Sequence, residues 1–263
     1  MKLPIFQVDA FSDRVFAGNP AAVVPLERWL PDSQLLAIAA ENNLSETAFV
    51  VPEGQDWRLR WFTPTVEVSL CGHATLAAGV VLLGQRDRVR FLTLSGPLTV
   101  AREAGLYWLD LPSIPPLGPV DAPEVVDALG VRPRQLLSLR ELHHGRYLLA
   151  ELSSEAEVRA ATPDLRALGA LRTNLVITAP GEEVDFVSRF FAPASGVDED
   201  PVTGSSHSSL TPFWAERLGR QELSARQVSR RGGSLRCVLQ GDRVRLGGDA
   251  ALYLEGSITV PDP

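Results

Sequence analysis

The chain has 263 residues, enough for one large domain or two of ordinary size, and 45% of them are hydrophobic, as in a globular protein. Its formal net charge of −7 argues against a nucleic-acid partner, which would need a basic surface. Lysine occurs only at Lys2, which excludes a Walker P-loop, a Schiff-base lysine and a pyridoxal phosphate anchor together.

The two cysteines, Cys71 and Cys237, are far apart and lack Cys-x-x-Cys spacing. Neither a disulfide framework nor a zinc cage is indicated, and a reducing, cytoplasmic compartment is expected. The opening residues Met-Lys-Leu-Pro-Ile-Phe-Gln-Val-Asp contain no signal-peptide core. The longest apolar run, around residues 74–83, is too short for a membrane span, so no membrane partner is expected.

In chain order, residues 3–8 predict a short strand, followed by a loop punctuated by Gly18, Asn19 and Pro20 and a buried strand over 21–24. Pro31, Asp32 and Ser33 start a helix over 31–42 whose apolar face holds Leu35, Leu36, Ile38 and Ala39. The next strand, 44–51, carries an anomaly. Strict alternation puts Glu46 on one face with Leu44, Ala48 and Val50. Burial among apolar neighbours disfavours a charged carboxylate and raises its pKa, as suits a general acid/base near neutrality. The plain alternative is an edge glutamate paired with an arginine or capping backbone amides.

Residues 58–63 predict a strand, and from Phe62 onward the chain holds a segment that recurs. Phe62 and Pro64 reappear as Phe191 and Pro193, and Gly72 reappears as Gly204 after a short insertion. Each copy runs from an aromatic strand end through a Pro turn with acidic residues to a Gly that opens a small-residue segment. Such a repeat implies two related halves, chance similarity of turn-rich stretches being the alternative. After Gly72 the segment to Leu83 is apolar all round, which predicts a helix buried on every side and closed by Gly84. A helix start beside Gly lets a ligand approach backbone N–H groups that can hold an anion. Gly72 and Gly204 are therefore candidate carboxylate-binding positions.

Strands follow over 89–94, 97–101 and 106–111, then a Pro-rich linker over 112–119. The second half predicts a helix over 123–129 closed by Gly130, a strand over 146–152, a helix over 163–168 before Gly169, and strands over 174–178 and 185–191. The helix after Gly204 should be kinked or restarted by Pro212. Strands over 235–239, 242–246 and 251–260 complete the chain, the last of them returning to the first half. The expected division is 1–112 with 251–263, and 113–250. Short strands with one long apolar helix per half predict an α+β fold, a barrel-like curled sheet around a central helix, twice.

Several segments in order resemble the PhzF-like (phenazine-biosynthesis) isomerase family. They are Asp9-Ala-Phe with Phe16-Ala-Gly-Asn-Pro-Ala-Ala-Val-Val24, Leu44-Ser-Glu-Thr-Ala-Phe-Val50, Arg60-Trp-Phe-Thr-Pro-Thr65, Leu70-Cys-Gly-His-Ala-Thr75, Glu199-Asp-Pro-Val-Thr-Gly-Ser205 and Arg231-Gly-Gly-Ser-Leu235. The resemblance implies a diaminopimelate-epimerase-like fold of two similar domains with the active site in the cleft between them. It implies Glu46 as the proton-transferring carboxylate, and His73, Asp200 and Ser205 as its supporting polar residues. Gly72, Gly204 and Thr203 would bind a small carboxylate substrate. It further implies no metal or organic cofactor and a homodimer. Phenazine-pathway members carry Ala-Gly-His-Pro where this chain has Cys71-Gly-His-Ala74, so the resemblance supports an isomerase mechanism more strongly than a phenazine precursor as substrate, and the substrate stays open.

Racemases of this fold use two thiols, but here the position matching Cys71 is Thr203, whose hydroxyl cannot serve as a thiolate. Two-thiol racemisation is therefore disfavoured, and Cys71 reads as a buried structural cysteine. A racemase or epimerase of amino or hydroxy acids is the first alternative to the isomerase, and a non-catalytic carboxylate binder the second. His73 has the alternative of a satisfied helix-start histidine, and a role for His207 stays open. His143-His144 reads as a solvated turn, and Asp198 and Glu199 as ordinary capping acids ahead of a helix.

Overall fold

In the computed structural model, which describes residues 1–141 and 145–262, the chain divides into two compact units: Met1–Leu111 with Gly247–Pro263, and Pro112–Leu246. In the first, β1 (Lys2–Ala10) and β2 (Asn19–Pro25) precede α1 (Asp32–Asn42). Then come β3 (Glu46–Glu53), β4 (Asp56–Phe62), β5 (Glu67–Val68), α2 (Gly72–Leu83), β6 (Arg88–Thr93), β7 (Gly96–Glu103) and β8 (Leu106–Pro112). The second unit holds β9 (Gly118–Pro119), α3 (Pro123–Leu129), β10 (Gln135–Leu139), β11 (Arg146–Glu151), α4 (Glu155–Ala160), α5 (Leu165–Ala170), β12 (Thr173–Pro180) and β13 (Phe186–Ala192). A 3₁₀ turn (Pro193–Ser195) follows, then β14 (Val197–Asp200), α6 (Gly204–Leu218), β15 (Glu222–Gln227), β16 (Gly233–Gln240) and β17 (Arg243–Gly248). The last strand, β18 (Ala250–Thr259), pairs antiparallel with β1 in the first unit.

The strand pairings repeat. In the first unit β1–β2 is antiparallel, β2–β3 parallel, β3–β4 antiparallel, β4–β6 parallel and β6–β7 antiparallel. In the second the same series runs β10–β11, β11–β12, β12–β13, β13–β15 and β15–β16. The short strands β5 and β14 occupy the same place in each, just ahead of α2 and α6.

The sheet of the first unit curls about α2, which touches β1, β2, β3, β6 and β7. This is why α2 is apolar: residues 72–79 and Leu83 are all buried. A Cβ on Gly79 would sit 2.4 Å from Val100 of β7, so helix and strand approach too closely for any larger residue. On the sheet's other side Leu35, Ile38 and Ala39 of α1 pack with Phe49 and Phe62. In the second unit α3, α4 and α5 cover one side through Val125, Leu129, Val158 and Leu168, against Leu148, Ile177 and Val187.

Three expectations need correction. The strand expected over 44–51 begins later, as β3 at Glu46, with residues 47–50 all buried, and Leu44 lies ahead of it, packed on the α1 side rather than on the face of Glu46. Helix α5 starts later than expected, at Leu165, capped by the Asp164 carboxylate, and runs through Gly169. Most informative is α6, which continues through Pro212 as one helix. Proline removes the N–H that would bond the Ser208 carbonyl. That carbonyl instead accepts from Ile114 N at 2.9 Å, so no buried acceptor is stranded. His143 and His144 lie outside the described residues.

Candidate active site

Asn43, with φ 50°, ends α1 in the left-handed conformation and turns the chain so that β3 begins at Glu46. Register places Glu46 opposite Ala21 of the interior strand β2. Because Phe49 faces α1, the two-residue period sends Glu46, Ala48 and Val50 to the α2 side. There the half-buried Glu46 meets the first turn of α2. Its Oε2 lies 3.2 Å from Nε2 of the buried His73, a short approach without the alignment of a full hydrogen bond. Nδ1 of the same ring lies 3.5 Å from Cys71 Sγ. The three residues bring a carboxylate oxygen, an imidazole nitrogen and the sulfur within 4.8 Å of one another.

Burial holds His73 well below the ordinary histidine range, at about 3, so the imidazole is neutral at physiological pH. A neutral ring beside a carboxylate can orient a proton without competing for it as a second charge. The Thr75 hydroxyl donates back to the Cys71 carbonyl, which secures the start of the helix. The amides of this first turn have no intrahelical acceptor.

The corresponding start in the second unit is built differently. The Thr203 hydroxyl donates to the Asp200 carboxylate, and both residues are buried. Gln227 at the end of β15 clasps this turn: its Oε1 accepts from Thr203 N at 2.9 Å, and its Nε2 donates to Asp200 O at 2.7 Å and Thr203 Oγ1 at 3.2 Å. Ser229 donates to Pro201 O at 2.8 Å and accepts from Gly232 N at 3.1 Å, tying the Arg231-Gly-Gly-Ser segment to the same turn. Gly204 is buried and Ser205 half-buried in the first turn of α6. His207 is wholly buried, its pKa held at about 4 by that burial, and its Nδ1 lies 2.7 Å from Thr203 O.

The structure thus brings Glu46 together with His73 and Cys71, and Asp200 together with Thr203, beside Gly204 and Ser205. Cys71 is not merely a packed sulfur, since it touches His73. Glu199, read as a capping acid, instead sits on β14 and accepts from Nε and Nη2 of Arg189, at 2.7 and 3.0 Å. Cys237 is buried in β16 and pushed up to about 12, so it stays a thiol. Asp9 accepts from Phe16 N at 2.8 Å and closes its loop. Gln227 escaped the sequence reading, although it shares the buried phase of β15 with Leu223 and Ala225, the same sign that marked Glu46.

Both the curled sheets and the twofold repeat define a diaminopimelate-epimerase-like fold. A hydroxyproline epimerase from Agrobacterium vitis, solved with trans-4-hydroxy-L-proline bound, shares that fold at a TM-score of 0.62 and 11% identity, covering 98% of this chain and 91% of that one. A sequence profile described as phenazine biosynthesis-like protein matches residues 8–256. An uncharacterized isomerase from Pseudomonas aeruginosa is 51% identical over 98% of this chain and 99% of its own. The crystal structure of a phenazine biosynthesis protein of the PhzF family from Enterococcus faecalis superimposes with a TM-score of 0.90 at 45% identity, covering 99% of this chain and 100% of that one. The chain belongs to the phenazine biosynthesis-like (PhzF) family.

Proposed function

We propose that the protein is a cofactor-independent isomerase that moves a proton between carbons of a small carboxylate-bearing substrate. The observation that carries this reading is the Glu46 carboxylate lying 3.2 Å from a buried, neutral His73 at the start of α2. Glu46 takes a proton from an acidic C–H bond, and the electron pair left behind passes into the substrate's conjugated carbonyl or alkene system. Glu46, now protonated, returns the proton to a second carbon of that system. His73 orients the carboxyl group through Nε2. The first-turn amides at Gly72 and Gly204 are read as contacts for substrate carboxylates, since helix starts favour anions. Asp200, Thr203 and Ser205 are read as substrate-facing polar groups, held in place by Gln227.

Incubation with small unsaturated carboxylic acids in D₂O tests this. Carbon-bound deuterium should appear in substrate or product by NMR, and should persist after dialysis against a chelator. Glu46, Cys71 and His73 are also a donor set of the type that holds zinc, so loss of exchange with EDTA and its return with zinc would replace this reading by a metal-assisted one. Glu46→Gln keeps the shape but cannot carry a proton. It should lower exchange by about 10²–10⁴-fold, the scale of a lost general acid/base, while the protein stays folded. Near-normal exchange in that variant would remove Glu46 from the mechanism.

A further inference from the structure

We propose that the Cys71 thiol fixes the tautomer of His73, holding the proton on Nε2 so that the ring's N–H faces Glu46. Cys71 is then a positioning residue, acting through His73. The tautomer stands on the geometry alone. Only its effect on turnover rests on the functional reading above.

A neutral imidazole carries one N–H, and each ring nitrogen of His73 has a close polar neighbour: Cys71 Sγ at Nδ1 and Glu46 Oε2 at Nε2. Two arrangements are open. In one, the thiol donates to Nδ1 and Nε2–H donates toward the carboxylate. In the other, Nδ1–H points at sulfur and a protonated Glu46 donates to Nε2. The second asks a thiol sulfur, a weak acceptor, to take the ring proton, whereas the first gives it to a carboxylate oxygen, a strong one. The first therefore matches each donor with its better acceptor.

The second unit shows the contrast. His207 occupies the position in α6 that Thr75 holds in α2, each three residues after its opening Gly and each bonded to the carbonyl four residues back. The Thr203 carbonyl can only accept, so the proton of His207 sits on Nδ1. In α2 the Thr75 hydroxyl makes that back-bond, which leaves Nδ1 of His73 to the thiol. Two buried histidines at helix starts therefore hold opposite tautomers, each set by its neighbour.

Long-range ¹H–¹⁵N correlation spectra of the ¹⁵N-labelled protein read the tautomer directly, and the chain has only four histidines to assign. His73 should show a protonated Nε2 and a bare Nδ1, with His207 the reverse as internal reference. Cys71→Ala should let His73 populate the Nδ1–H form, and Cys71→Ser, whose hydroxyl also donates, should keep Nε2–H. In the D₂O exchange assay Cys71→Ala should lose about 10- to 100-fold in kcat with KM little changed, the scale of partners that orient an imidazole. Cys71→Ser should recover most of that loss. A protonated Nδ1 in the wild type, or an unchanged tautomer in Cys71→Ala, overturns the proposal. So does a Cys71→Ser protein as inactive as Cys71→Ala with its tautomer intact, because the thiol would then act on the substrate itself. If the tautomers behave as stated while Glu46→Gln retains exchange, the positioning role stands and the isomerase reading falls.

Discussion

At the scale of residues, the two buried imidazoles make stability depend on pH below neutrality. Burial lowers His73 to about 3 and His207 to about 4, against an ordinary value near 6.5. Each ring binds its proton more readily in the unfolded chain. Stability is therefore full above pH 6.5 and falls as pH drops below it, until the folded values are reached. Between pH 6.5 and 5 the loss should be about 1.6 kcal/mol per histidine. The lowered carboxyl groups of Asp32, Glu155 and Asp185, held by Arg60, by the Glu182 amide and by Ser224 with Arg220, add their losses only at lower pH. Urea unfolding at pH 6.5 and 5.0 measures the effect, and His207→Gln should remove about half of it. Equal stability at the two values would show that both rings charge freely in the fold.

At the scale of elements, each central helix is admitted by a specific local arrangement. For α2 it is Gly79, whose missing side chain lets the helix lie against Val100. Gly79→Ala should destabilise the protein by about 1–3 kcal/mol through overpacking, although alanine is the better helix former. Val100→Ala in the same chain should recover part of the loss. Thermal unfolding of the two single variants and the double variant reads this as a coupling energy, and additive losses would show that the contact is not the cause. For α6 the arrangement is the amide of Ile114, which takes the carbonyl freed by Pro212. A helix with a proline in its middle is thus completed by a residue nearly a hundred positions earlier, from the segment that sequence alone identifies as a linker.

At the scale of the whole molecule, β18 leaves an apolar surface on the first unit. Leu252, Tyr253 and Leu254 are exposed, and Phe16, itself 72% exposed, sets its ring edge-on to Tyr253. A cluster of large apolar side chains on one strand usually marks an interaction surface or an aggregation hazard. A second copy of the chain is the expected cover. Sedimentation should report a dimer, and Leu252→Asp with Tyr253→Asp should shift it to monomer with the fold intact. A monomeric wild type at micromolar concentration would count against the expected homodimer. No helix among the described residues is long and apolar enough to cross a membrane.

The sequence by itself determined the repeat, the α+β class and the family, because these are written in local order. Apolar periods, Gly and Pro punctuation and six motifs in series survive without knowledge of any contact. It also singled out Glu46, since a carboxylate in the apolar phase of a strand conflicts with its neighbours whatever lies around it. What only the tertiary structure decided are the relations between residues remote in sequence. It decided that β3 is covered on both sides, that Gln227 clasps the turn before Gly204, and that Pro212 breaks nothing. It also decided that Cys71, read from sequence as packing, touches the imidazole beside Glu46. Helix and strand periods fix which way a side chain points along its own element. Which partner it meets there is set by the packing of elements far apart in the chain.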